Sequence, residues 1–286
     1  MVWIEWIGAA LVLCLVLVAA LAAIGNMRWN GLTKSLVARL EATRTRPEPP
    51  RFDTSELQGL PAPVQRYFRA VLTDGSPIVA AATATHSGTF NIGATVDLWK
   101  PFTSTQRVVT RRNGFVWSGR VAVLPGLAVR VIDAYVGGEG ILHPAMLGLF
   151  ALGRLQGGGS VAQGELMRFF AEAAWYPTAL LPSQGVRWQA VDDRCAAATL
   201  IDGPLALTLL FSFDDAGLID TVRAEARGRM VGKAIVMAPW EGRWSNYERR
   251  NGMTVPLTGE AAWLLPEGRK PYWRGTIMSL TYESAS

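Results

Sequence analysis

The chain has 286 residues, 50% of them hydrophobic, which is enough for one large domain or two small ones with a sizeable core and excludes disorder for its bulk. Its 28 Lys and Arg against 23 Asp and Glu leave a net charge of +5, and its basic and aromatic residues form no zinc module or aromatic RNA-reading strand, which argues against nucleic acid as a partner. The 2 cysteines, Cys14 and Cys195, cannot build a disulfide framework or a thiolate metal site, and the 2 histidines make no HExxH pair, so no metal and no cofactor is expected.

Residues 6–27 carry no charge, and a helix over this window covers roughly 30 Å, the hydrocarbon thickness of a bilayer. Trp3, Trp6 and Trp29 flank it like interfacial anchors, so residues 1–30 are expected to be a single transmembrane helix. A cleaved signal peptide is the alternative, since Ala20-Leu21-Ala22 resembles a cleavage site, although the n-region lacks Lys and Arg. Lipidation of Cys14 is disfavoured because Leu13 stands where a small residue belongs. Arg28, Lys34, Arg39, Arg44, Arg46 and Arg51 all follow the span, which places the remainder in the cytoplasm by charge bias or against anionic headgroups. The side of the membrane stays open.

Leu32, Leu36, Val37 and Leu40 recur at helical spacing, so residues 31–53 read as a juxtamembrane amphipathic helix followed by a linker stiffened by Pro47, Pro49 and Pro50. The domain then runs over 54–286. Its first helix is expected near 61–72, with Pro63 in the first turn and Val64, Tyr67, Phe68, Val71 and Leu72 on one apolar stripe.

From residue 78 the hydrophobic period changes to two. "TATHSGTF", "ATVDLWK", "TSTQRVVTRR", "GFVWSGRVAVL" and "LAVRVIDAYVGG" follow one another, with breaks expected at Asn91-Ile92-Gly93, Pro101-Phe102, Asn113-Gly114 and Pro125-Gly126. After residue 185 the rhythm resumes with turns at Asp192-Asp193, Gly203-Pro204, Asp214 to Gly217, Asn251-Gly252 and Pro266 to Gly268. The fold class is therefore mainly β: about a dozen antiparallel strands, curling into a half-barrel or barrel, with a few helices. Trp99, Trp117, Trp188, Trp240, Trp244, Trp263 and Trp273 all fall on strands or their ends.

One helix interrupts the strands. In residues 160–176, Ser160 and Gln163 have the spacing of a capping box, and Pro177 is expected to stop or kink the helix. Leu166, Phe169, Phe170 and Ala173 form its apolar stripe, while Glu165, Arg168 and Glu172 are expected on a solvated or flanking face. Glu165 and Glu172 are separated by about 10.5 Å of helical rise, too far to act as a carboxylate pair, so acid–base chemistry would need a strand acid such as Asp133, with Arg168 beside it.

"LPAPVQRYF", "GFVWSGRV", "GELMRFFAEAAWYPTALLP", "PWEGRW" and "PYWRG", in that order over residues 55–283, resemble an uncharacterised family of bacterial membrane-anchored proteins, a domain of unknown function. The resemblance implies a single-pass protein of a bacterial inner membrane and brings no activity. A curled sheet with helices over its open side is also similar to bacterial lipoprotein-carrier half-barrels, an analogy of fold alone. The expected function is binding of a lipid or other hydrophobic ligand at the membrane, with Arg168, Phe169, Phe170, Trp175, Trp188 and Trp117 as binding residues and helix 160–176 as lid or plug. The alternatives are a hydrolase or isomerase using Glu165, Glu172 or Asp133, and a structural or regulatory envelope protein without a small ligand.

Overall fold

A computed structural model describes residues 2–93, 96–124, 126–232 and 234–284, excepting the side chains of Val2, Leu11, Cys14 and Leu15. The Cys14 side chain, the Pro125 half of the expected Pro125-Gly126 turn and the start of the expected strand "ATVDLWK" lie outside the described residues.

Alternation of apolar and polar residues produces fourteen strands in one antiparallel sheet: β1 (Val79–Asn91), β2 (Trp99–Val109), β3 (Gly114–Leu124), β4 (Leu127–Val136), β5 (Glu139–Met146), β6 (Phe150–Ala151), β7 (Leu155–Gly157), β8 (Arg187–Ala190), β9 (Cys195–Asp202), β10 (Leu205–Phe213), β11 (Ile219–Val231), β12 (Ala234–Arg250), β13 (Met253–Leu265) and β14 (Gly268–Ser284). The spatial order is β6-β5-β4-β3-β2-β1-β14-β13-β12-β11-β10-β9-β8, with β7 beside β5. Two meandering wings thus meet at the β1–β14 ladder, and the path is open, since no ladder among the described residues joins β8 to β5–β7. The expected break at Pro101-Phe102 is not observed: β2 passes through both residues, with Pro101 opposite Thr89 near the strand's start, where loss of one N–H costs little. Strands β5–β7, in a stretch rich in Gly and Pro, carry too little alternation to be expected.

The N-terminal helix is a single element, α1 (Val2–Thr43), so the expected anchor and juxtamembrane helix are continuous. Among the described residues no helix is long and apolar enough to cross a membrane. The C-terminal half of α1 packs on the convex face of the sheet, where Trp29, Leu36 and Leu40 join Val109, Val116, Ile132, Ala134 and Ile141 in a separate small core. Burial of side chains this size contributes about 1.5–3 kcal/mol each. Gly25 permits the approach, because a Cβ there would lie 2.1 Å from the Leu147 carbonyl oxygen. Arg107, paired with Glu41 and Glu283 at 2.6 Å each, fastens the helix's far end.

The main core occupies the concave side. Helix α2 (Ala62–Val71) buries Val64, Tyr67, Phe68 and Val71 as its stripe requires. Helix α3 (Gly159–Ala171) lies inside the curl, touching β3, β4 and β5 of one wing and β10 and β11 of the other. Two expectations about α3 are corrected. Its N-cap is Gly158, with no side-chain cap, so Ser160 and Gln163 form no capping box. The α-helix gives way to a 3-10 turn at Glu172–Trp175, before Pro177, which opens a second such turn.

Candidate functional site

Between α3 and the concave face lies an apolar chamber of about 110 Å³, walled by Phe90, Trp117, Trp240, Trp244, Tyr272 and Trp273 and floored by Asp133, Arg168 and Glu172. It leads to a vestibule of about 340 Å³ that shares Phe90, Asp133, Leu142, Arg227 and Tyr272 with it and adds Glu165, Arg229, Met230 and Trp263. Of the two, the vestibule reaches the size usual for small-ligand pockets. A larger groove of about 660 Å³ lies beside Met167 and Leu207.

A short repeated string builds the chamber's walls. Trp117-Ser-Gly119, Trp240-Glu-Gly242 and Trp273-Arg-Gly275 each place an indole and a glycine on the same strand face, two residues apart. Each ring lies along its strand over the glycine: an added Cβ would fall 2.1 Å from the Trp117 ring, 3.0 Å from that of Trp240 and 2.3 Å from that of Trp273. The glycines thus leave room for flat indoles, which form the walls.

The floor is charged and buried. Arg168 lies 5.0 Å from the ring centres of both Phe115 and Trp117, donates from Nε to Glu172 at 2.7 Å, and pairs through Nη1 with Asp133. Gln106 donates to the other Glu172 oxygen at 2.7 Å. Burial by itself would lower the Arg168 guanidinium, but the charges of Glu172 and Asp133 outweigh it and hold the group above its ordinary range. Glu165 is pushed well above the carboxylate range, first by burial and then by the Asp133 charge, and its Oε2 has no hydrogen-bond partner among the described residues. His86, packed 5.0 Å from the Trp175 ring, is lowered to about 3 by burial and then by Arg168, so it is neutral. Buried indole N–H groups of Trp117 and Trp244 in the chamber wall have no acceptor among the described residues.

The expected solvated face of α3 is therefore corrected: Glu165 and Glu172 are buried and the Arg168 side chain is only 14% exposed, because α3 lies inside the curl between the two wings. Glu165 and Glu172 do not face one another; Glu172 pairs directly with Arg168, and Asp133 of β4, which also pairs with Arg168, stands beside Glu165. Of the expected binding residues, Arg168 and Trp117 line the chamber. Trp175 stands behind it, 4.9 Å from the Trp244 ring. Phe169 packs on Tyr176, Phe170 on Phe211, and Trp188 on Phe68 and Phe211, in core regions away from the chamber.

Arg227 and Tyr272, which sequence reasoning missed, form the neck. Arg227 lies 5.0 Å from the Trp240 ring centre and donates to the Tyr272 hydroxyl, which also accepts from Trp240 Nε1 at 2.9 Å. Both reach the concave side through β-bulges. An extra residue between Ala224 and Arg227 shifts β11 by one position, and Tyr272 is itself the extra residue of β14 opposite Ala261 and Ala262. The strings WSG, WEG and WRG were the one legible signal for the walls; nothing in the sequence marks the bulges.

Fold and site define a curled antiparallel-sheet protein with an aromatic chamber against a buried helix. Residues 58–282 match a family of unknown function, DUF6920, and the chain belongs to that family. Among solved structures it is similar to a LolA superfamily protein from Nitrosomonas europaea, at 10% identity and a TM-score of 0.38, over 72% of this chain and 87% of that one. It is also similar to a β-barrel-like protein of the domain of unknown function DUF1849 from Brucella abortus, at 11% identity and a TM-score of 0.23, over 72% and 99% of the two chains. No curated protein matches the chain. The structural likenesses are too distant to transfer a ligand.

Proposed function

We propose that the protein is a membrane-tethered binding protein for a hydrophobic ligand that carries a hydrogen-bond acceptor. The observation that carries this reading is the chamber itself: apolar indole walls with the Arg227 guanidinium, a hydrogen-bond donor, at the neck against the Trp240 ring. The tether is the N-terminal half of α1, where Trp3, Trp6, Val12, Val16 and Leu17 are exposed on all sides, a pattern that suits lipid surroundings. Leu11, Cys14 and Leu15 of the same window fall outside the described side chains.

The test uses the intact chain and dansylated undecanoic acid as the probe. Binding should brighten and blue-shift the dansyl emission, with energy transfer from the chamber tryptophans. Gly119→Val, which drives a side chain into the Trp117 ring, should abolish the signal. Equal binding by the variant, or none by the wild type, would overturn the reading.

A second reading, acid–base chemistry, is favoured by Glu165, which lines the vestibule with Asp133 and is pushed above the carboxylate range by burial. It requires that a ligand extracted from the protein change in mass or, for an isomerisation, in chromatographic retention on incubation with the wild type and stay unchanged with Glu165→Gln. No change in either with the wild type removes it.

A further inference from the structure

The turns at the two ends of the sheet differ in chemistry. Alternate turns of an antiparallel meander share an end, which groups the β1–β2, β3–β4, β5–β6, β11–β12 and β13–β14 connections; the strong curl carries the β9–β10 turn to the other end, where Asp202 accepts from Tyr135. The first end exposes Ile92, Leu98, Leu124, Phe150, Met230 and Ile235, all large and apolar, whereas its β13–β14 turn, Pro266-Glu267-Gly268, is polar. The other end turns on Arg111-Arg112-Asn113, Gly137-Gly138, Asp202-Gly203, Asp214-Asp215 and Asn251-Gly252, which are polar or small. Single exposed apolar residues need no explanation, but here they gather on one set of tips.

α1 leaves the sheet at this apolar end. Gly25 touches the turn after β5, at Leu147, and every described side chain from Trp3 to Ala20 is exposed. A protein partner would cover one stripe of that helix; exposure on all sides matches lipid. Beside the exit, Arg120 of β3 and Arg130 of β4 stand directly opposite one another in the ladder, an arrangement that repels. Arg130 donates to Asn26 of α1, and neither arginine has a carboxylate partner among the described residues, nor does the exposed Arg28. Such a pair is relieved by an anion. The vestibule is lined by Asn91, Met230 and Ile235 from these same tips, so its mouth opens through the apolar rim.

We infer that this end of the sheet seats on an anionic phospholipid bilayer, its apolar tips in the interface and Arg120, Arg130 and Arg28 at headgroup phosphates, with the vestibule facing the lipid. The inference rests on the tether reading and adds to it an orientation and a route by which ligand passes from bilayer to chamber without crossing water.

The test places an environment-sensitive bimane label on the full chain, with Cys14→Ala and Cys195→Ser as background, at Phe150→Cys, Leu124→Cys or, as the far-end control, Arg112→Cys. The chain is reconstituted in vesicles of phosphatidylcholine with phosphatidylglycerol, some of the lipid carrying nitroxide. Labels at 124 and 150 should be quenched by the lipid nitroxide and the label at 112 should not. Replacing Arg120 and Arg130 by Gln should weaken the rim's quenching roughly five-fold for each arginine removed, with the chain still vesicle-bound. Vesicle binding with all three labels equally unquenched would overturn the seating and leave the tether standing. No vesicle binding would overturn both. Shielding of the rim labels from aqueous iodide in detergent alone would overturn it in favour of a second copy on the rim. Ligand binding is read separately by the dansyl probe.

Discussion

Helices α1 and α3 face the same sheet from opposite sides, and their polarity is inverted relative to their surroundings. α3, enclosed by both wings, carries Glu165 and Arg168, with Glu172 at its C-cap, into the core, whereas α1 displays Trp3, Trp6 and Val16 outside it. The inner helix can hold charge because Arg168 meets Asp133 and Glu172, while burial beside Asp133 raises the Glu165 carboxyl and favours its neutral form. The outer helix can expose apolar surface only where something other than water meets it. Amphipathic pattern alone therefore misassigns both, since it supposes that polar means wet and apolar means covered.

The largest expected effect comes from breaking the inner network. Arg168→Met leaves Asp133 and Glu172 buried without their cation and should cost about 3–5 kcal/mol in denaturant unfolding. A loss below about 1 kcal/mol would mean that water reaches the cluster freely. The corresponding break outside is smaller. Gly25→Val forces a Cβ against the Leu147 carbonyl and should cost about 1–3 kcal/mol. Limited proteolysis should then cut α1 near residues 25–45 with the sheet intact; an unchanged digest would show that the helix docks without that close approach.

Protonation sharpens the comparison. The native pKa of Glu165 is raised above the ordinary 4.5, so the native state binds the extra proton and stability is full below about pH 4.5 and falls as pH rises toward the native value. The slope is at most about 1.4 kcal/mol per pH unit, and Glu165→Gln should remove it. Thermal melts should show the variant gaining on the wild type as pH increases; parallel curves would mean that the fold does not raise the Glu165 carboxyl. The smallest effect belongs to the exposed latch on α1. Glu283 is lowered to about 2 by hydrogen bonds from Arg107 and then Arg44, so its contribution is present above about pH 4.5 and is lost as pH falls toward 2. Half of this side chain is exposed, so Glu283→Gln should change neutral-pH stability by under about 1 kcal/mol. A larger change would mark the latch as essential for holding α1.

Much of the fold was legible because strand alternation and turn residues are local. Turns at Asp192-Asp193, Gly203-Pro204, Asp214 to Gly217, Asn251-Gly252 and Pro266 to Gly268 stand where expected, and α2 buries the stripe its spacing required. The strings WSG, WEG and WRG were present too, but a glycine two residues after a tryptophan reads as a turn signal until the strand face is known. The sites of Arg227 and Tyr272 were not legible, because each depends on a one-residue bulge that exchanges inward for outward and leaves the composition unchanged.

The sequence by itself determined a mainly antiparallel β chain with an uncharged N-terminal helix and one helical interruption, since these follow from period, charge and turn chemistry along the chain. Only the tertiary structure decided that α3 lies within the curl, that Asp133 stands beside Arg168 and Glu165, and that the tryptophans of three separate strands face one chamber. Those facts depend on how far the sheet curls and where its register slips, and both are set by contacts between residues distant in sequence.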